Sequence, residues 1–456
     1  MVKQNTIYNS LVEIVGEDFV SNRQEELYMY SRDPGAQQPR KVDYAVMPKT
    51  VEQVQKIVML ANKERVPITP MGGGLTLSAL TVPIKGGIVL DMKRMDSIIE
   101  VNEKSKYAIV EAGVSQGKLK SYLEKYHPYL QHSTPEAPPT ATIVGNALIC
   151  GHGHLTPMHC VNSSMINGME VVLPTGEICK IGSCSISPNW FARGPLPDLA
   201  GLFIGWFGTT GIVTKISFQL FPNPKLRDVL VFSTDDPDSL PDVIFKAFQS
   251  ETTENFFIIA QDRPSWMFGH IYIVILITGN NEEEFEIKKR QLTNMFDERV
   301  KLIEETPPAL RTRFLDVPPF AATAADFAKG GGMEYTGGIL PIEKIPEAWR
   351  KGMEIARKYN TVFSFAHQAL DCGHSTMFAI IYSFNRADEE DIERVRNALN
   401  DSNELVLDLG GVLWKAEQSA QKLMMDRMDP NTLELMKKIK EVLDPNGIMN
   451  PGNWSD

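Results

Sequence analysis

The segment Pro70-Met71-Gly72-Gly73-Gly74-Leu75-Thr76-Leu77-Ser78 constrains this chain more than any other. It follows a short apolar stretch (PITP) with strand character, and three glycines in a row let the backbone approach a ligand without intervening Cβ atoms. Such a run points several N–H groups into one concavity, as an anionic diphosphate needs, and Thr76 and Ser78 add hydroxyl donors. The spacing is neither G-x-G-x-x-G nor a phosphate loop with its Lys. By itself the run is equally a plain tight turn.

The surrounding pattern gives it a setting. Thr50 is placed to cap a helix over VEQVQKIVMLANKER, with Val51, Val54, Ile57, Val58 and Ala61 on one face. Strands are expected at GGIVLDM, YAIVEAG, GMEVVLP and IVTKISFQLF, with a helix near SQGKLKSYLEKY. Pro222 and Pro224 mark the first boundary. Beyond about residue 226, strand and helix patterns follow in two sets. The first runs RDVLVFS, PDVIFKAFQSE, FFIIAQ, HIYIVILIT and NEEEFEIKKRQLTNMFDE; the second runs EKIPEAWRKGMEIARKY, TVFSFAHQA, STMFAIIYSF and ADEEDIERVRNALND. They predict an α+β sheet covered on one side, a ferredoxin-like cap. At 456 residues the chain exceeds what one core organises, so two domains are expected. No internal sequence repeat is strong enough to argue from.

Composition narrows the function. A net charge of -11 does not invite nucleic acid or an anionic membrane. The longest apolar run, 270–278, is about half of what a membrane-spanning helix needs, and residues 1–30 lack a signal-peptide pattern. Five irregularly spaced cysteines suit neither a disulfide scaffold nor an iron–sulfur ferredoxin, so a reducing, cytoplasmic setting is expected.

Several segments, in order, resemble the FAD-binding family that includes vanillyl-alcohol oxidase, 4-cresol dehydrogenase and the flavin subunits of glycolate oxidase and D-lactate dehydrogenase. The glycine run resembles the family's pyrophosphate loop, and Val89–Met95 and Val110–Val114 resemble the strands after it. Pro138–Ala147 resembles its second flavin-contacting loop. Gly168–Glu177, Gly208–Thr214 and the terminal Asp444–Gly452 match later signatures. The resemblance implies a two-domain fold of the p-cresol methylhydroxylase (PCMH) type: a FAD domain over 1–222, a substrate cap over 223–429, and a segment 430–456 returning to the first domain. It further implies that Met71, Gly72, Gly73, Gly74, Leu75, Thr76 and Ser78 hold the diphosphate. Thr142, Gly145, Asn146, Gly211 and Ile212 would hold the flavin and adenine sides, and Asn450 would sit near the ring. Some relatives attach FAD through a His just after the glycines; Leu75 occupies that place, which implies a noncovalent cofactor.

The chain has eight histidines, two of them in the segment Ala366–His374. His367, His374 and Glu417 form a competent set for a divalent metal (Zn, Fe or Mn) that would grip an α-hydroxy acid. The 2-hydroxyacid dehydrogenases of the family carry two histidines seven positions apart and then a Glu, which this spacing fits. Here Gln368, Ala369, Leu370 and Cys372 replace the intervening glycines and Asn, and Gln418 replaces the His after the Glu. Gln cannot exchange a proton at neutral pH, so His374 or Tyr335 is expected as the base. The alternative reading of the histidines is as ordinary strand residues beside a flavin. Arg311 and Arg313 sit where relatives of the glycolate oxidase type carry an Arg, which implies pairing with a substrate carboxylate; the alternative is a solvated surface pair. His152, His154 and His159 resemble a metal cluster at first sight but lie in a loop the family lays along the flavin, and are expected to contact flavin or line the pocket.

The expected activity is hydride transfer from a small D-2-hydroxy acid (lactate or glycolate) to flavin N5. Electrons would then leave to a separate acceptor: an electron-transfer flavoprotein, an iron–sulfur subunit or oxygen. Oxidation of a para-alkylphenol or aryl alcohol is the alternative, and a flavin-carrying electron-transfer subunit is a second. A homo-oligomer is compatible with either.

Overall fold

Thr50 begins the helix Val51–Glu64 as its sequence predicts: its hydroxyl accepts from the Gln53 N–H at 3.3 Å, and Val54, Ile57, Val58 and Ala61 are buried. A computed structural model describes residues 2–261, 270–306, 308–315, 330–361 and 364–455. The helix covers a four-stranded sheet in which Tyr44–Val46 and Ile68–Met71 both run parallel to the central strand Ile88–Asp91. A second sheet has five antiparallel strands, ordered Ile98–Asn102, Tyr107–Glu111, Ile212–Gln219, Ile166–Val172 and Ile178–Gly182. One apolar core joins both sheets, including Val54, Ile57, Ile88, Val110, Met169 and Ile216.

The chain then builds an eight-stranded antiparallel sheet. Its strands come in two successive units of strand, helix, strand, strand, helix. The first is Leu226–Thr234, Leu240–Gln249, Thr253–Gln261, Ile271–Gly279 and Glu282–Thr293. The second is Gly331–Leu340, Ile345–Lys358, Ser364–Leu370, Ser375–Asn385 and Glu389–Asp408. Thr253–Gln261 pairs with Ser364–Leu370 and joins the units edge to edge. Short strands, Lys301–Leu302 and Val412–Trp414, close the two outer edges. The two sets of elements read from sequence carry no residue repeat because the units share an order of elements rather than residues. The four longer helices of these units cover one face of this sheet, where Phe256, Ile258, Phe365, Phe378 and Ile380 are buried, while the short helix Pro308–Leu315 packs on the other face through Phe314. Apart from that short helix, the cover is the one-sided arrangement expected of the cap. Among the described residues no helix is long and apolar enough to cross a membrane.

After helix Pro430–Leu443 the chain returns to the first domain. Asp444 accepts from the N–H groups of Ile448 and Met449 at 3.1 and 2.8 Å, which folds the last turn. Met449 bridges Ile68 in parallel, and the Asn450 N–H donates to the Ile68 carbonyl at 2.7 Å. The Asn450 amide donates to the carbonyls of Leu80 and Phe207 at 3.1 and 2.6 Å and accepts from Thr69 at 3.2 Å. It is 1 % exposed, so these partners have no water to replace it. Asn450→Ala should therefore cost about 2 kcal/mol and lower the unfolding midpoint by about 2–4 °C. Calorimetry showing an unchanged midpoint would contradict that role.

Candidate active site

A cavity of about 300 Å³ lies between the open face of the eight-stranded sheet and loops of the first domain. Its floor is the glycine run. A Cβ on Gly72 would collide with the Thr142 hydroxyl, and one on Gly73 would lie 2.9 Å from the Thr140 carbonyl oxygen and 3.2 Å from the Ala141 Cα. The two loops can lie together only because these side chains are absent. Gly74 then turns with φ +68°. Thr142 is itself fixed, its hydroxyl accepting from the Gly145 N–H at 3.3 Å. The Thr76 hydroxyl is buried with no protein partner.

The roof follows from strand alternation. Side chains two apart share a face, so Met333 and Tyr335, Ala366 and Gln368, and Met377, Ala379 and Ile381 all line the cavity. Gln368 donates to the Gly153 carbonyl at 2.9 Å, and the Trp414 indole donates to the Ile149 carbonyl at 2.6 Å, tying the cap to the first domain. Lys415 follows Trp414 in a left-handed conformation, φ 52°. Its ammonium sits 4.4 Å from both the Tyr335 and Trp414 ring centroids and donates to the Thr76 carbonyl at 3.2 Å. Burial lowers its pKa to about 8, opposed by Glu334 and Asp33. Glu334 alternates away from the cavity and accepts from the Ala36 N–H at 3.2 Å. Burial, with Asp33 and Glu417 nearby, holds its carboxyl well above the usual range.

Two histidines reach the cavity wall. His154 is pinned: its Nδ1 accepts from the Thr134 N–H at 3.1 Å, so Nε2 carries the proton toward Gln131 Oε1 at 3.1 Å. His152 stacks on Trp414, with centroids 4.3 Å apart and planes at 16°, and neither of its nitrogens has a partner. Burial pushes both imidazoles down to about 3.

The structure brings together most of the residues assigned to the cofactor from sequence. Met71, Gly72, Gly73, Gly74, Leu75, Thr76, Thr142, Gly145, Asn146, Gly211 and Ile212 all line this one cavity, as does Tyr335. Burial and Glu334 raise the Tyr335 phenol above its ordinary value. Ser78 lies behind, on a smaller void shared with Glu334, Glu417 and Lys415. Asn450 is a staple beneath the cavity rather than part of its lining. Arg311 is exposed and pairs with Asp228 at 3.1 Å; the Arg313 side chain lies outside the described residues. His159 is exposed and stacks on Phe221.

The expected metal site does not form. His367 falls between Ala366 and Gln368, so alternation turns it to the helix-covered face, where Nδ1 meets Thr376 Oγ1 at 2.9 Å and the ring packs on Phe365 and Phe378. His374 is exposed in the hairpin turn. Glu417 accepts from Asn403 and Ser419 at 3.3 and 2.6 Å. Among the described residues no three His, Cys, Asp or Glu side chains gather as a ligand set. Lys415 went unnoticed in the sequence reading; the signal was one basic residue inside the apolar stretch GGVLWKA.

Comparison with known proteins agrees with this architecture. Residues 42–182 match the model for an FAD binding domain, and residues 266–454 match the C-terminal domain of FAD linked oxidases. The chain is 25% identical to the glycolate oxidase subunit GlcD of Bacillus subtilis, across 98% of this chain and 96% of that protein. It is 31% identical to the 4-cresol dehydrogenase [hydroxylating] flavoprotein subunit of Pseudomonas putida, across 57% of this chain and 51% of that one. Its fold superposes on the crystal structure of p-cresol methylhydroxylase with substrate bound at a TM-score of 0.87, with 21% identity over 100% of this chain and 97% of that one. Gly73→Ala should push the two loops apart and reduce the flavin retained through gel filtration by about tenfold or more, a displacement worth at least one lost hydrogen bond to the ligand. Full flavin content in the variant would show that the close approach does not matter for the ligand.

Proposed function

Because the chain belongs to the FAD-linked oxidases, carrying both the FAD-binding and the C-terminal domain of that family, we propose that its cavity oxidises a small, largely apolar phenol or alcohol by hydride transfer to noncovalent FAD. The residues present fit that cofactor. The glycine floor lies against the Thr140–Thr142 loop at a separation that a single Cβ would break, and Thr76, whose buried hydroxyl has no protein partner, belongs to the same lining. Gly72–Thr76 would hold the diphosphate, with Thr142–Asn146 and Gly211–Ile212 beside the rings. Leu75 offers no atom for a covalent link. FAD when bound supplies the hydride acceptor; the protein supplies position, charge and exclusion of water.

One observation carries the substrate class. The cap side sets Phe257, Phe314, Met333, Tyr335, Met377 and Trp414 beside the polar Asn255 and Gln368, and Lys415 is the one Lys or Arg among the described lining residues. A para-alkylphenol or aryl alcohol places its ring on the apolar wall, and a phenolic oxygen toward Lys415 gains an opposite charge in a low-dielectric setting. A guanidinium fork for a carboxylate is absent from the described lining, and the expected His–His–Glu grip is not assembled. The second reading, a small D-2-hydroxy acid, is favoured by the near full-length likeness to GlcD. Its carboxylate would then take Lys415. In either case electrons would leave to a separate acceptor, and we place the work in the cytoplasm.

Anaerobic titration of the flavin decides between these. Para-alkylphenols or benzyl alcohols should bleach it, while lactate and glycolate should not; the reverse result would install the hydroxy acid. Lys415 is charged below its pKa of about 8 and neutral above it. Affinity for anionic ligands should hold below that pH and fall as pH rises through it. Lys415→Met should weaken those ligands by about tenfold, the value of one charged hydrogen bond, and abolish the pH dependence. A pH profile identical in the variant would dismiss Lys415 as the anion's partner.

A further inference from the structure

We propose that Asn255 and Gln368 form a receptor for an uncharged hydroxyl group on the ligand of the cavity. The inference deepens the oxidation of a phenol or alcohol assigned above, and rests on that reading for the identity of the group received.

Two primary amides stand among Phe257, Ala366, Met377 and Ala379 on the cap wall. Their orientation is set by groups that have only one hydrogen-bonding sense. Gln368 Nε2 donates to the Gly153 carbonyl at 2.9 Å and to Asn255 Oδ1 at 3.1 Å. Asn255 Oδ1 accepts a second bond from the Phe256 N–H at 2.9 Å. A carbonyl oxygen can only accept and a backbone N–H can only donate, so neither amide can turn over. Both amide protons of Gln368 are used inside the protein, and so is the amide oxygen of Asn255. One acceptor remains, Gln368 Oε1, and one donor group, Asn255 Nδ2, neither with a partner among the described residues.

Each of the two residues is 3 % exposed, and each lines the cavity. Their two free atoms are not sealed into the packing, unlike the His152 nitrogens. The open surface of this pair therefore belongs to the cavity. Buried polar groups are seldom left unpaired, so a ligand or solvent atom is their natural partner. The backbone accounts for the position. The ladder between Thr253–Gln261 and Ser364–Leu370 ends at the pairing of Phe257 with Gln368. Asn255 lies past that end, beside a bulge, where its side chain holds a backbone N–H.

An acceptor beside a donor calls for a group that both donates and accepts. A hydroxyl does both. A carboxylate only accepts and would meet the Gln368 lone pairs, while a methyl group would displace solvent without replacing its bonds. Fixed polar groups of this kind reject the analogue that lacks the hydroxyl. The receptor is also separate from Lys415. Gln368 is level with Met377, and Met377 with Ile339, which lies two strands from Gln368 and four residues from Tyr335. The Gln368 and Tyr335 backbones are therefore roughly 16 Å apart. Lys415, over the Tyr335 ring, serves a charged group at one end, and the amides serve a neutral one at the other.

FAD-loaded protein reduced with dithionite, in which no oxidation can intervene, is dialysed anaerobically to equilibrium against benzyl alcohol, ethylbenzene and benzylammonium. Ethylbenzene carries a methyl group where benzyl alcohol carries its hydroxyl. Asn255→Leu should lower the ratio of alcohol affinity to ethylbenzene affinity by about tenfold, a ratio indifferent to how much of the variant folds. Asn255→Asp keeps the bonds from Phe256 and Gln368 and puts an acceptor where the donor was. It should bind benzylammonium about tenfold more tightly than wild type does at pH 8. An unchanged ratio in Asn255→Leu, wild-type benzylammonium affinity in Asn255→Asp, or benzyl alcohol that does not bind wild type would overturn the receptor. Benzyl alcohol whose binding depends on Asn255 yet leaves oxidised flavin unbleached would count against the reaction and leave the receptor standing. Bleaching by benzyl alcohol with a ratio indifferent to Asn255 would remove the receptor and leave the reaction.

Discussion

Everything in the cavity depends on two backbones lying side by side. Gly72 and Gly73 rest against Thr140–Thr142 at a separation that admits no side chain. That contact sets where Thr142 caps its short helix, where the Thr76 hydroxyl points, and how near the cap must come for Lys415 to reach the Thr76 carbonyl. The cofactor floor and the substrate wall are thus linked through one loop. The C-terminal return fixes the same region from below, since Asn450 holds the Leu80 and Phe207 carbonyls and bonds the strand that leads into the glycines.

The cap obeys a second constraint. A sheet with helices on one side has only alternate residues available for the other. Phe257, Ala366, Gln368, Met377 and Tyr335 go to the cavity; Phe256, Phe365, Phe378 and Glu334 go behind. Burying a carboxyl behind the wall is costly unless it stays protonated or faces a cation. Burial raises the Glu334 carboxyl well above the usual range, and Lys415 nearby pulls it the other way. The electrostatics of the wall are therefore set partly by a residue that no ligand in the cavity would touch.

Much of this was legible in the sequence. The Thr50 cap, the strands flanking the glycines and the one-sided cap follow from local pattern and turn chemistry, which act over a few residues. The glycine loop stood out because only a close approach requires three such residues together. The metal assignment failed for a reason that spacing conceals. Seven positions separate His367 from His374, but the strand's alternation and the hairpin turn send them to a buried face and an exposed corner. Ser78 and Asn450 were placed with the ligand by the family resemblance, whereas folding leaves both off the cavity lining. Lys415 carried too weak a pattern to notice, because a single basic residue gains meaning only once its neighbours in space are known.

The duplicated build of the cap bears on how such a protein changes. The two strand–helix–strand–strand–helix units meet along one strand pair, Thr253–Gln261 with Ser364–Leu370, and each presents its own inner face to the cavity. Phe257 comes from the first half and Phe314 from the helix after it, whereas Tyr335, Met377 and Trp414 come from the second or just after it. A lineage could therefore remodel one half's contribution while the ladder along the seam keeps the other in register. New selectivity would arise by drift within a half, with the nucleotide cradle left untouched.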